Sequence, residues 1–208
     1  MFRRFAFVAA FVALQAGLIV GISGVADAAP ALTGHVHCSL VGSGKFNPGL
    51  TATGSAGGVK ISVTAKVIQC TGATITLGSP PVVHTVTSGI LTINDWYFTG
   101  TSGSKCSNFE GASPADAVGK IKMKVKWTLS PPVTVAPSHV TYTAGPYTAP
   151  VTGTTMGLEL GAVPATPTAV TGSFAGSLVQ DTLMNLTVPA GGCPVGPIFS
   201  FPTGSLKF

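Results

Sequence analysis

The residues best placed to do chemistry are four lysines that recur at every second position of one short segment. Apolar residues fill the positions between and after them, in the order Lys120, Ile121, Lys122, Met123, Lys124, Val125, Lys126 and Trp127. Successive side chains of a β-strand point to opposite faces, so this pattern predicts a strand with all four ammonium groups on one face. Two interpretations of that face stay open: a solvated face whose charges block aggregation, or a face that binds an anionic cell-wall glycan or lipid.

The first 28 residues read as a secretory signal peptide. Arg3 and Arg4 precede an apolar stretch over residues 5–20, and Ala26-Asp27-Ala28 places small residues at the cleavage site. We therefore expect cleavage after Ala28 and one secreted domain over residues 29–208. That domain carries nine lysines against five carboxylates, a balance of +4. Such a balance, in a chain with only 8% charged residues, does not indicate a nucleic-acid-binding protein.

Four cysteines in an exported chain favour two disulfides over free thiols. If the glycine-rich stretch 54–58 turns a hairpin centred on residue 54, Cys38 lies opposite Cys70, and Cys106 is left to pair with Cys193. Zinc binding is disfavoured because no two cysteines have the short spacing of a C-x-x-C ligand pair.

Histidines give a weaker signal for a metal site. His35 and His37 would project to one side of a strand, and His84 or His139 could complete the site. The pattern is common by chance and follows directly on the cleavage site, where chain ends are often loose, so we predict no metal.

Enzymatic signals are also weak. The sequence contains neither a G-x-S-x-G nucleophile elbow nor a phosphate-binding loop. Asp95 and Glu110 could form a glycosidase pair, but surface carboxylates are the simpler interpretation. For Trp96, Tyr97 and Phe98, core packing with Tyr97 at the rim is favoured over a carbohydrate platform. We predict no catalytic residue, no cofactor and no enzyme.

The rest of the chain consists of short segments rich in Thr and Val, separated by turn clusters of Gly, Pro and Ser. They predict strands at Val36–Val41, Lys60–Val67, Thr74–Leu77, Val82–Val86, Ile90–Thr99, Lys120–Leu129, His139–Thr143, Met156–Leu160, Ala169–Phe174, Thr182–Val188 and Ser205–Phe208. About ten strands without a helix indicate an all-β fold, a single-domain antiparallel β-sandwich or squat β-barrel with two disulfides.

The mature chain resembles the uncharacterised Gly/Thr-rich secreted β-proteins of actinobacteria, including mycobacteria. The resemblance rests on Cys38, Gly42, Gly44 and Phe46 before Pro48-Gly49-Leu50-Thr51, on Cys70, on residues 100–106, on Gly119-Lys120-Ile121 leading to Trp127, on residues 170–176, and on Cys193 before a Phe-containing end. It departs after Trp127, where Thr128-Leu129-Ser130-Pro131 replaces the Asn and Gly of many members. The resemblance implies export, disulfides and a β fold, and it implies no activity.

These features together favour a secreted, disulfide-stapled structural or binding protein of the cell envelope. An outer-membrane β-barrel resembling a porin is the alternative, because lysines facing a lumen and apolar residues facing lipid would give the same alternation. A secreted hydrolase is the residual alternative.

Overall fold

A computed structural model describes residues 28–98, 120–143, 151–152, 155–160, 169–177, 181–187 and 198–208. Within them every regular element is a β-strand, which confirms the all-β prediction. The strands are β1 (His37–Asn47), β2 (Val59–Thr71), β3 (Thr74–Leu77), β4 (Val82–Phe98), β5 (Lys120–Ser130), β6 (Ser138–Thr143), β7 (Val151–Thr152), β8 (Thr155–Leu160), β9 (Ala169–Gly172), β10 (Asp181–Thr187), β11 (Ile198–Phe201) and β12 (Thr203–Lys207).

Each predicted strand overlaps an observed strand, but several bounds differ. β1 continues six residues beyond the predicted end at Val41, and β2 continues four residues beyond Val67. Two short strands predicted between residues 82 and 99 are one strand, β4, because it continues through a register shift between Val86 and Ser88. The prediction for residues 169–174 ran too far, since Ser173 and Phe174 lie in a turn after β9. The strands β7 and β11 were missed; each is only two to four residues long. Periodicity is not measurable over so few positions.

All twelve strands belong to one antiparallel sheet. Its main path runs β7-β8-β10-β12-β1-β2-β4-β5-β6-β9, with β3 beside β4 and β11 beside β1. Within the described residues no ladder joins β7 to β9, so the sheet is open. It curls in the manner of a sandwich, since Trp127 of β5 meets Phe208, which follows β12, with ring centroids 5.7 Å apart. One continuous core fills the inside of this curl.

The hairpin of β1 and β2 carries the predicted disulfide between Cys38 and Cys70. Most of its ladder is one residue out of the predicted register, since Leu40 pairs with Val67 rather than with Ile68. A bulge opposite the segment from His37 to Ser39 adds one residue to β2, where Gln69 has a φ of 53°. This extra residue restores the predicted register and brings Cys70 opposite Cys38. The predicted disulfide between Cys38 and Cys70 is confirmed, but the regular hairpin register from which it was predicted is wrong. The predicted partners Cys106 and Cys193 lie outside the described residues.

Two glycines of β1 make room for aromatic rings inside the sheet. Gly42 pairs with Phe201 and Gly44 with Phe199 across the β1–β11 ladder. A Cβ atom on Gly42 would lie 2.7 Å from the Phe201 ring, and one on Gly44 would collide with the Phe199 ring. The cross-strand neighbour therefore covers each glycine, and the close approach excludes any side chain there.

The segment 30–36, which we call the strap, links the two halves of the curled sheet. At one end it accepts hydrogen bonds from Ala136 and Phe174, and at the other Val36 exchanges a pair of backbone bonds with Phe208. The Ser173 side chain fixes the first end, because its hydroxyl accepts a bond from the Leu32 N–H at 3.0 Å and donates to the carbonyl of Ala136. Residues near the expected N-terminus of the mature chain are thus part of the core.

Replacing Ser173 by Ala should destabilise the protein by about 1–3 kcal/mol, because it leaves the buried N–H of Leu32 unpaired. Urea unfolding of the two proteins measures the difference. Ser177→Ala is the matched control: its hydroxyl donates to Gly34 at 3.5 Å in an exposed position, so its loss should change stability by less than about 0.5 kcal/mol. Equal effects of the two variants would contradict this role of Ser173.

Candidate functional site

The strand β5 has the predicted two-faced character. Its apolar residues lie in the core, while Lys122 and Lys126 are exposed and Lys124 is half-buried. Lys120 occupies the next alternate position, and its side chain lies outside the described part of the structure. The buried side chains of β5 are those of Ile121, Met123, Val125, Trp127 and Leu129.

The same outer face continues onto the neighbouring strands. Lys45 of β1 stands between inward-facing Gly44 and Phe46, and on β2 both Lys60 and Lys66 alternate with core residues. Among the described side chains, six of the nine lysines expected in the mature chain therefore lie on the outer side of β1, β2 and β5: Lys45, Lys60, Lys66, Lys122, Lys124 and Lys126. We call this surface the lysine face.

The strand register arranges the lysine face in rows that cross the sheet. One row runs through Val41, Lys66, Ile90 and Lys126. The next row runs through Ser43, Thr64, Thr92, Lys124 and His139. The face consequently consists of ammonium groups set among hydroxyls, one imidazole and two partly exposed aliphatic side chains.

Negative charge is scarce on this surface. Strands β1, β2, β4, β5 and β6 contain one acidic residue, Asp95, which lies near the end of β4 where its register with β2 shifts. Among the described residues, Lys66, Lys122, Lys124 and Lys126 form no ion pair. Lys60 lies over the ring of Tyr97, with its Nζ 5.2 Å from the ring centroid. Tyr97 is 46% exposed, as its predicted rim position requires.

Like charges on this face repel one another, because successive lysines of β5 are about 6.8 Å apart along the strand and Lys66 and Lys126 are about 9.6 Å apart across the sheet, distances comparable to the Debye length of about 8–10 Å at physiological salt. This repulsion extends over several strands, and a bound anionic ligand would reduce it. Only the four lysines of β5 were predicted from the sequence as a charged face. The alternation around Lys60 and Lys66 is equally visible in the sequence, but the sequence does not show which strands lie side by side.

The predicted strand does not hold both His35 and His37, because β1 begins at His37, but the two side chains do face one groove. His35 and His37 flank the buried Val36, and both line an open groove of about 450 Å³ with Lys207. His35 Nδ1 lies 3.3 Å from the backbone oxygen of Phe208. In the part of the chain that the structure covers, no three His, Cys, Asp or Glu residues lie close enough together to hold a metal ion.

The other two histidines do not join that pair. The buried His84 has its Nδ1 2.7 Å from the carbonyl oxygen of Pro131, and His139 stands on the lysine face beside Lys124. Of the carboxylate pair considered for glycoside hydrolysis, Asp95 is placed on β4 by its backbone, and Glu110 lies outside the described residues.

The described segments include no helix long and apolar enough to cross a membrane. The resemblance to secreted actinobacterial proteins stays an expectation from the sequence. No protein-family model, no curated protein and no solved structure matches the chain.

Proposed function

We propose that this is a secreted protein of the cell envelope, structural or binding in role, that holds an anionic envelope glycan or lipid on its lysine face. The observation that carries the proposal is the clustering of six lysines on the outer side of β1, β2 and β5, within a run of adjacent strands, β1, β2, β4 and β5, that contains one carboxylate. Clustered cations in an otherwise weakly charged protein focus a positive potential and attract polyanions. Dispersed solubilising charges would instead alternate in sign.

The disulfide supports the proposal that the protein is exported. Cys38 and Cys70 are joined, and structural disulfides persist in oxidising compartments outside the cytoplasm. The proposal includes removal of residues 1–28 and a second disulfide between Cys106 and Cys193.

Two other functions are weaker. A porin-like barrel would direct the apolar side of β5 to lipid, whereas Met123 and Val125 are buried in the core of the described structure. A secreted hydrolase would need converging His and carboxylate side chains. In the described residues, His84 is buried against the carbonyl of Pro131, and His139 stands beside Lys124 on the lysine face.

Retention on envelope preparations tests the proposal. The purified mature protein should sediment with washed native envelopes, and the double variant Lys122→Glu with Lys124→Glu should lose that retention. Retention of the wild type should weaken steeply between about 50 and 200 mM salt, because the contacts are ionic.

The double variant should still fold, since both side chains lie on the outer side of β5 and surface substitutions change stability by only about 0.5 kcal/mol each. The charge-matched comparison uses single variants: Lys207→Glu, on β12 and away from β5, makes the same change of charge as Lys122→Glu alone. Salt-insensitive retention, or equal loss in the control, would overturn the proposal and leave a solvated face.

A further inference from the structure

We infer that the ligand is an extended linear polyanion, of the phosphodiester-linked polyol type, that lies along β4 between the lysine column of β5 and Lys66 of β2. This inference rests on the proposed function and narrows its ligand from any anionic glycan or lipid to one chain geometry.

The outer residues of β4 form a neutral lane. Ile90 is paired with Lys66 on one side and with Lys126 on the other, so two ammonium groups flank an aliphatic side chain that is 52% exposed. One step along β4, Thr92 lies between Thr64 and Lys124. Ile90 and Thr92 have shorter side chains than the lysines beside them, so we treat the lane as a trough whose β5 wall is cationic and whose β2 wall carries Lys66 and the hydroxyl of Thr64.

The width of the trough suits a single chain. The flanking strands β2 and β5 are two strand spacings apart, about 9.6 Å, which admits one extended polymer between them. Ile90 offers an apolar surface to the carbon backbone of such a chain, while hydroxyls of Thr64 and Thr92 offer hydrogen-bond donors.

The charge spacing also suits a linear polymer. Alternate residues of an antiparallel strand are about 6.8 Å apart, so Lys122, Lys124 and Lys126 place three ammonium groups over about 14 Å. The alternation in the sequence predicts a fourth at Lys120, for a column of about 20 Å. A phosphodiester chain with one charge every 6–7 Å, roughly the strand period, would meet one lysine per repeat.

A bilayer surface matches these features less well. Interfacial binding needs several apolar side chains that protrude together beyond the charges. Ile90 and Val41 are 52% and 38% exposed and stand in rows beside lysines, and Ile198, which is 73% exposed, stands on β11 beside Lys45, on the far side of β1 from Ile90. The twist of a β-sheet also lets only part of its face meet a flat surface.

Binding of synthetic glycerol-phosphate oligomers to the purified mature protein tests the geometry. Affinity should rise with each unit until the chain spans the β5 column, at about four charges, and should rise only weakly beyond that length. Inositol hexakisphosphate, which is compact and more highly charged, and vesicles of phosphatidylglycerol with phosphatidylcholine should bind more weakly per charge. Lys124→Gln should cost about fivefold in affinity, the change equivalent to about 1 kcal/mol for one cation.

A charge placed inside the lane separates this geometry from general attraction. Asn94→Glu puts a carboxylate at an exposed position of β4, and Ser43→Glu puts the same charge at an exposed position of β1. The first should reduce oligomer binding at least fivefold more than the second. Equal effects of the two variants, no dependence of affinity on chain length, or preferential binding to the vesicles would overturn the proposal that a linear polyanion binds along β4. If face-dependent envelope retention persists in that case, the proposed function stands; if that retention is absent as well, both fail.

Discussion

The variant Val125→Asp should fail to fold. Val125 is fully buried and is paired with Leu91 of β4 and Ser138 of β6, both also inaccessible to solvent. The substitution removes about 1.5–3 kcal/mol of apolar burial and places an unpaired carboxylate in the core at a further cost of several kcal/mol. Together these approach the total stability of about 5–15 kcal/mol expected for a domain of this kind. Circular dichroism and the yield of secreted protein measure the outcome.

Thr128→Asp is the matched control, because it introduces the same charge on the same strand at an exposed position. It should change the free energy of unfolding by no more than about 0.5 kcal/mol. A folded Val125→Asp protein with a cooperative transition would show that the inner side of β5 is not the core side, and the assignment of the lysine face would fall with it.

Much of the fold is predictable from the sequence because the buried face of each long strand repeats every second residue. The alternation over residues 60–67 and 120–129 specified both strands and their inward sides, and both are observed. The predicted strand 36–41 fell short of β1, which continues to Asn47, because Gly42 and Gly44 interrupt its apolar pattern. Those positions are inward-facing, and the aromatic side chains that cover them come from β11, more than 150 residues later.

The candidate site is less predictable than the fold because it depends on pairings between strands. Lys66 and Lys126 are 60 positions apart in the chain, and the register of β4 with its two neighbours sets them on either side of Ile90. The disulfide shows the same limit. Its partners were predicted correctly, but the conformation of Gln69 that aligns them is a local departure from regular strand geometry that composition does not reveal.

Loss of the disulfide should be the second large effect on stability. Cys38 and Cys70 close a loop of 32 residues, and in the chain-entropy model such a bridge contributes about 3.7 kcal/mol by restricting the unfolded chain. Replacing both cysteines by Ala should therefore lower the free energy of unfolding by several kcal/mol, measured by urea titration without reductant, and should reduce the secreted yield.

The pattern among variants identifies the bridge as the cause. Each single substitution, Cys38→Ala or Cys70→Ala, already breaks it, so the double variant should be little worse than either single one. Additive losses would instead indicate that the two side chains stabilise the core separately. A tryptic map without reductant gives an independent check, because cleavage after lysine leaves Cys38 in a peptide ending at Lys45 and Cys70 in the peptide 67–105. These two peptides should be linked; a link from Cys38 to the peptide that carries Cys193 would contradict the hairpin on which β1, β2 and their share of the lysine face are built.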